Sequence, residues 1–126
     1  MRTIKKLLWL GLLLWLISGC TTTITNLTPR ELPRNPTGLY PFQVAWESRQ
    51  QSLQNDTLRV WVLIGSDTYP MEKTAIVKNR WETLVPVPAS QNLVHYRYKF
   101  EYEYLSIPNR KSNSASSTPY TLKIAD

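Results

Sequence analysis

An all-β chain is what this sequence predicts, folded as a single β-sandwich of about seven strands over residues 37–126. Three observations carry that reading. Apolar and polar residues alternate with a period of two in several segments, the mark of strands buried on one face. Turn-forming residues punctuate the chain about every ten positions, as in sandwiches. Beyond residue 19, no segment carries the 3.6-residue apolar stripe of an amphipathic helix.

The elements follow in chain order. Residues 20–36 hold a run of threonines and then three prolines, Pro29, Pro33 and Pro36, which disfavour helix. They read as an extended tether containing a first strand at 23–27. In 40–46, Tyr40, Phe42, Val44 and Trp46 alternate with Pro41, Gln43 and Ala45, a half-buried strand. Residues 48–57 (SRQQSLQNDT) are polar and read as a connection ending in a turn. Residues 58–64 (LRVWVLI) are almost continuously apolar, as expected of a central strand covered on both faces. Gly65-Ser66-Asp67 turns the chain into a short strand at 68–71, which Pro70 confines to an edge. A further short strand is expected at 74–77. After Asn79-Arg80, Trp81, Thr83, Val85 and Val87 share one side of a strand closed by Pro86 and Pro88.

The strongest pattern is residues 93–105. Val94, Tyr96, Tyr98, Phe100, Tyr102 and Tyr104 occupy one face, and His95, Arg97, Lys99, Glu101 and Glu103 the other. So long an alternation exceeds the usual strand, and a bulge or bend is expected to divide it. Residues 107–118 (IPNRKSNSASST) read as a polar loop, and 119–124 as a last strand pointing Tyr120, Leu122 and Ile124 inward. This series resembles an immunoglobulin-like or fibronectin-like topology, with a closed barrel as the other architecture it fits. The cysteine pair of antibody domains is missing, so the resemblance is architectural.

The first 19 residues are of another kind. Met1-Arg2-Thr3-Ile4-Lys5-Lys6 is positive, and Leu7 to Ile17 is apolar apart from Gly11. That run is about half the roughly 20 residues a transmembrane helix needs, and it matches the apolar region of a signal peptide. Ile17-Ser18-Gly19-Cys20 then resembles the lipobox of bacterial lipoproteins. The resemblance covers about the first 20 residues. It implies cleavage before Cys20, a diacylglycerol on its thiol, and a chain held in the bacterial cell envelope. The residue after the cysteine is Thr21 and not the aspartate that retains such proteins at the inner membrane. In a Gram-negative host that implies the outer membrane. Two or three acyl chains on one residue anchor a soluble domain firmly, since one myristoyl chain alone binds only marginally.

Cleavage would leave about 107 of the 126 residues, enough for one domain. The leader holds Arg2, Lys5 and Lys6 and no acid, so the formal charge of +6 falls to about +3. That balance, without a basic stripe, does not argue for nucleic acid. Cys20 is the one cysteine, so no disulfide forms within the chain. His95 is the one histidine, and no partner residues at metal-binding or catalytic spacing accompany it. Beyond the leader, glycine is confined to Gly38 and Gly65, which excludes a glycine-rich phosphate loop. Glu101 and Glu103 alternate with Arg97 and Lys99, which cross-strand charge pairing explains more simply than acid–base chemistry. No catalytic residue, metal or cofactor is therefore expected.

Binding residues are sought among the aromatics and one loop. Tyr96, Tyr98, Phe100 and Tyr102 lie on one alternating face and read as core. Trp61 is out of phase with Val60 and Val62 and should point to the other side of its strand. Tyr69 sits beside a turn and a proline. Trp61, Tyr69 and Trp81 are the aromatic candidates for a contact surface, and Arg110 and Lys111 are the candidates in the loop. Trp81-Glu82-Thr83-Leu84-Val85-Pro86-Val87-Pro88, followed by Tyr96-Arg97-Tyr98-Lys99-Phe100, is similar to a run in starch- and glycogen-binding β-sandwich modules. The second ligand-binding tryptophan of those modules has no obvious match. Two functions follow as expectations. One is a non-enzymatic, lipid-anchored envelope protein that binds or supports another envelope component. The other is a carbohydrate- or peptidoglycan-binding module using exposed aromatics.

Overall fold

The computed structural model describes residues 22–48, 53–105, 107 and 109–126, with the backbone alone for 53–56. These residues form ten strands: β1 (Thr22–Asn26), β2 (Glu31–Pro33), β3 (Leu39–Ser48), β4 (Leu53–Ile64), β5 (Asp67–Pro70), β6 (Glu72–Lys73), β7 (Arg80–Pro86), β8 (Leu93–Leu105), β9 (Arg110–Ser116) and β10 (Tyr120–Ala125). They make two sheets. The first is antiparallel, in the order β1-β3-β7-β6. The second runs β2-β10-β8-β4-β5, with β9 also on β8. The protein is an immunoglobulin-like β-sandwich.

Two features of the strand order position everything else. The N-terminal segment serves both sheets. β1 lies antiparallel on β3, and β2 then crosses to lie parallel beside β10. β8 is the spine of the second sheet. One edge pairs with β4, and the other pairs with β10 over Leu93–Tyr96 and with β9 over Lys99–Leu105. β9 and β10 are thus successive parts of one returning edge. Where they meet, Ser117 Oγ accepts from Tyr98 N at 2.8 Å and Ser117 N donates to Tyr98 O at 2.9 Å.

The core lies between the sheets and follows the period-two pattern. Tyr40, Phe42, Val44 and Trp46 of β3 are buried, as are Val94, Tyr96, Tyr98, Phe100 and Tyr102 of β8. Aromatic rings bridge the two sheets at the place where a disulfide would join them in antibody domains. Trp46 stacks on Phe100 with centroids 4.5 Å apart, and Phe42 meets Tyr96 edge-on at 4.8 Å.

Four expectations are corrected. Residues 48–57 are not a loop up to position 57, because β4 already begins at Leu53. Strand pairing is a backbone interaction, so polar side chains do not prevent it. The price is an irregular ladder: Gln54 faces Glu103, but Arg59 faces Glu101, and residues 55–58 bulge out. β8 itself runs unbroken from Leu93 to Leu105, and the expected irregularity falls on its partner strands. Residues 107–118 are not one loop, since β9 pairs along β8. β9 is exposed at almost every position, with only Ala115 packed on the core, so it carries no apolar alternation. Residues 74–77 form no strand. The short strand is β6, and Asn79, at φ 64, turns the chain into β7.

Candidate binding surfaces

The sandwich has two poles. β1 begins at Thr22, opposite Ser48 at the end of β3. That pole also holds Lys73, the 74–79 turn, Leu105 and the start of β9. We call it the N-terminal pole. The opposite pole holds Gly38, the Gly65-Ser66 turn, the 87–92 connection and the C-terminus.

Each residue singled out in the sequence has a definite place. Trp61 is half-buried on the outer face of the second sheet, paired with Lys99 on β8 and Pro70 on β5. Its strand neighbours Val60 and Val62 are buried, which forces Trp61 outward. Tyr69 pairs with Val62 and therefore turns inward, where it packs against the core. Trp61 and Tyr69 consequently lie on opposite faces and share no platform. Trp81 is 7% exposed and packs edge-on to Phe100 at 6.5 Å, so its ring serves the core. Arg110 and Lys111 are exposed at the N-terminal pole, where Arg110 lies 3.8 Å from Glu103. Cys20 lies outside the described residues.

Three recesses among the described residues lie near these residues or the poles. A cleft of about 520 Å³ opens at the pole opposite the N-terminus, its apolar walls made by Ile64, Tyr69, Pro86, Val87 and Val94. A polar groove of about 400 Å³ lies beside the β4 bulge, lined by Thr57, Arg59, Glu101 and Glu103 among others. Glu103 N donates to Thr57 Oγ1 at 2.9 Å and fastens the bulge to β8. A smaller recess of about 210 Å³ opens at the N-terminal pole between Trp46, Leu58, Lys73, Lys78 and Trp81. Trp46 Nε1 is buried and has no hydrogen-bond partner among the described residues.

The outer face of the second sheet is the other surface of note. Arg59, Trp61 and Leu63 on β4 stand opposite Glu101, Lys99 and Arg97 on β8. Lys99 Nζ lies 3.1 Å from Glu101 Oε1. Trp61 thus stands on the outer face beside Arg59, Arg97 and Lys99. His95 is on the same face, where its Nδ1 lies 3.0 Å from Thr121 Oγ1. Among the described residues, no three His, Cys, Asp or Glu side chains are grouped to hold a metal. No helix among them is long and apolar enough to cross a membrane.

Sequence reasoning missed three sets of residues. Asn26 and Thr28 form a buried polar cluster with Tyr96 and Tyr98, and tyrosines on a core face gave no sign of it. Ile76 and Val77 looked like a buried strand but stand exposed. Ile107 looked like the first residue of a loop, and its full exposure is visible only once its neighbours are placed.

No protein-family model matches the chain, and no curated protein matches it. Among solved structures, it is similar to one of murine CRIg, at 11% identity and a TM-score of 0.47 over 84% of this chain and 99% of that chain.

Proposed function

We propose that this chain is a non-enzymatic lipoprotein of the bacterial envelope, anchored through Cys20, whose sandwich binds or supports another envelope component. One observation carries the reading. The Ile17-Ser18-Gly19-Cys20 motif ends only two positions before Thr22, where the first strand of a complete sandwich begins. A leader ending there lies wholly ahead of the first described strand, so acyl chains on Cys20 would sit close to the sandwich. The outer face around Trp61 is the surface offered to a partner, because it combines an aromatic side chain with Arg59, Arg97 and Lys99.

The test is the intact mass of membrane-extracted protein beside a Cys20→Ser variant. Cleavage before Cys20 plus acyl chains, lost in the variant, is the expected result. An unmodified Cys20 overturns the anchor. The carbohydrate-binding alternative loses its Trp81 platform to the core and rests on Trp61 alone. It expects the fluorescence of Trp61 to change on titration with envelope oligosaccharides, and the protein-binding reading expects no such change.

A further inference from the structure

We propose that the N-terminal pole is a bilayer-docking face, which seats the sandwich upright on anionic phospholipid. The proposal rests on the Cys20 anchor. Covalent geometry makes the first step. Two residues span at most about 7 Å, so an acylated Cys20 holds the Thr22 end of β1 within that distance of its own lipid attachment. Thr22 pairs with Ser48 at the N-terminal pole. That pole is therefore drawn onto the membrane surface, whatever it carries.

What it carries is suited to that position. Ile76 is 94% exposed and Ile107 is 99% exposed, on two separate segments of the same pole. Val77 and Leu105 beside them are also exposed. A water-facing isoleucine with almost no protein contact gains nothing from the fold, but it can bury itself at the boundary between headgroups and acyl chains. Away from this pole, the exposed large apolar side chains among the described residues are Leu39, Leu84 and Leu93, none as open to water as the two isoleucines.

Charge points the same way. Lys73, Lys78, Arg110 and Lys111 are exposed around the isoleucines. Among the described residues, Glu47, Glu72, Glu82 and Glu103 are the acids toward this pole, and Arg110 already faces Glu103 at 3.8 Å. Juxtamembrane lysines and arginines are drawn to anionic headgroups. The small recess adds a local receptor. Lys73 and Lys78 line it, together with Asn79, Trp46 and Trp81. The two ammonium groups there attract a headgroup phosphate.

The consequence is a fixed orientation. β8 is 13 residues long and runs from pole to pole, so the far cleft stands about 40 Å above the bilayer. The Trp61 face is then presented sideways, parallel to the membrane normal.

The experiment uses the full chain, purified in its acylated form and reconstituted into vesicles. Ile76→Cys, Ile107→Cys and, as a control at the far pole, Thr37→Cys each receive one environment-sensitive fluorophore. Brominated acyl chains serve as quencher, in phosphatidylcholine with and without phosphatidylglycerol. Positions 76 and 107 are expected to be quenched about threefold more than position 37, and more strongly with phosphatidylglycerol. Lys73→Glu with Lys78→Glu should remove that lipid dependence while far-UV spectra stay unchanged. Equal quenching at all three positions, in protein whose mass includes acyl chains, overturns the docking face and leaves the anchor standing. A mass without acyl chains overturns the anchor, and this orientation with it.

Discussion

Tyr98 shows how a single hydroxyl organises this core. Its Oη donates to Asn26 Oδ1 at 2.7 Å and lies 2.7 Å from Thr28 Oγ1. Asn26 Nδ2 donates in turn to Tyr96 Oη at 2.8 Å, and Thr28 Oγ1 accepts from Gln43 N at 3.0 Å. The cluster ties the end of β1 to β3 and to the opposite sheet. Tyr98→Phe leaves the Asn26 and Thr28 oxygens without that partner, and should cost about 1–3 kcal/mol in urea unfolding. Burial pushes the phenols of Tyr98 and Tyr96 above their ordinary value. The sign of the pH effect follows. The unfolded chain loses these protons first, near pH 10, while the folded chain keeps them. Stability should be level below about pH 10 and fall above it, and Tyr98→Phe should flatten that alkaline fall. Urea midpoints measured from pH 7 to 11 on both proteins check this.

At the scale of elements, the β4–β5 hairpin and the β8–β9 pair obey different rules. β4 and β5 are joined by Gly65 and Ser66 alone, with Ile64 facing Asp67. Gly65 has φ 59, as a tight hairpin turn with glycine first requires. An added Cβ there meets no atom within 4 Å, so a substitution costs backbone strain and nothing else. Gly65→Ala should therefore destabilise by about 1 kcal/mol, and Gly65→Asn by less, because asparagine tolerates positive φ better. Equal losses in the two variants would mean that packing, not φ, is the constraint. β9 has no such local signature. It is held by its ladder to β8 and, on the side-chain side, by little beyond Ala115.

The whole molecule stands without a covalent staple. One cysteine in the chain means that aromatic packing between β3 and β8 carries the inter-sheet contact that a disulfide often supplies. Thermal unfolding should be a single transition whose midpoint does not move on adding reductant. A midpoint lowered by reductant would reveal disulfide-linked dimers through Cys20, and would argue against a thioether there. The same scale decides the placing of charge. Lys73, Lys78, Arg110 and Lys111 are scattered along the sequence and come to one pole only because β6, β7, β8 and β9 end or begin there.

The strands at 40–46, 81–87 and 93–105 and their inward faces were determined by the sequence alone, because period-two alternation is a local property that burial imposes directly. Tyr40 to Trp46, Trp81 to Val87 and Val94 to Tyr102 all bury the side their pattern marks. The outward turn of Trp61 was legible for the same reason. Tertiary structure decided what alternation does not encode. β2 and β9 exist because a neighbouring edge, β10 or β8, offers its backbone groups, and that offer leaves no trace in side-chain polarity. Tyr69 turned inward because register with Val62, not its position beside a turn, sets its face. Ile76 and Ile107 came to the pole where β1 begins through strand pairing in the two sheets. A surface of that kind is assembled from residues far apart in the chain, and only the folded backbone brings them together.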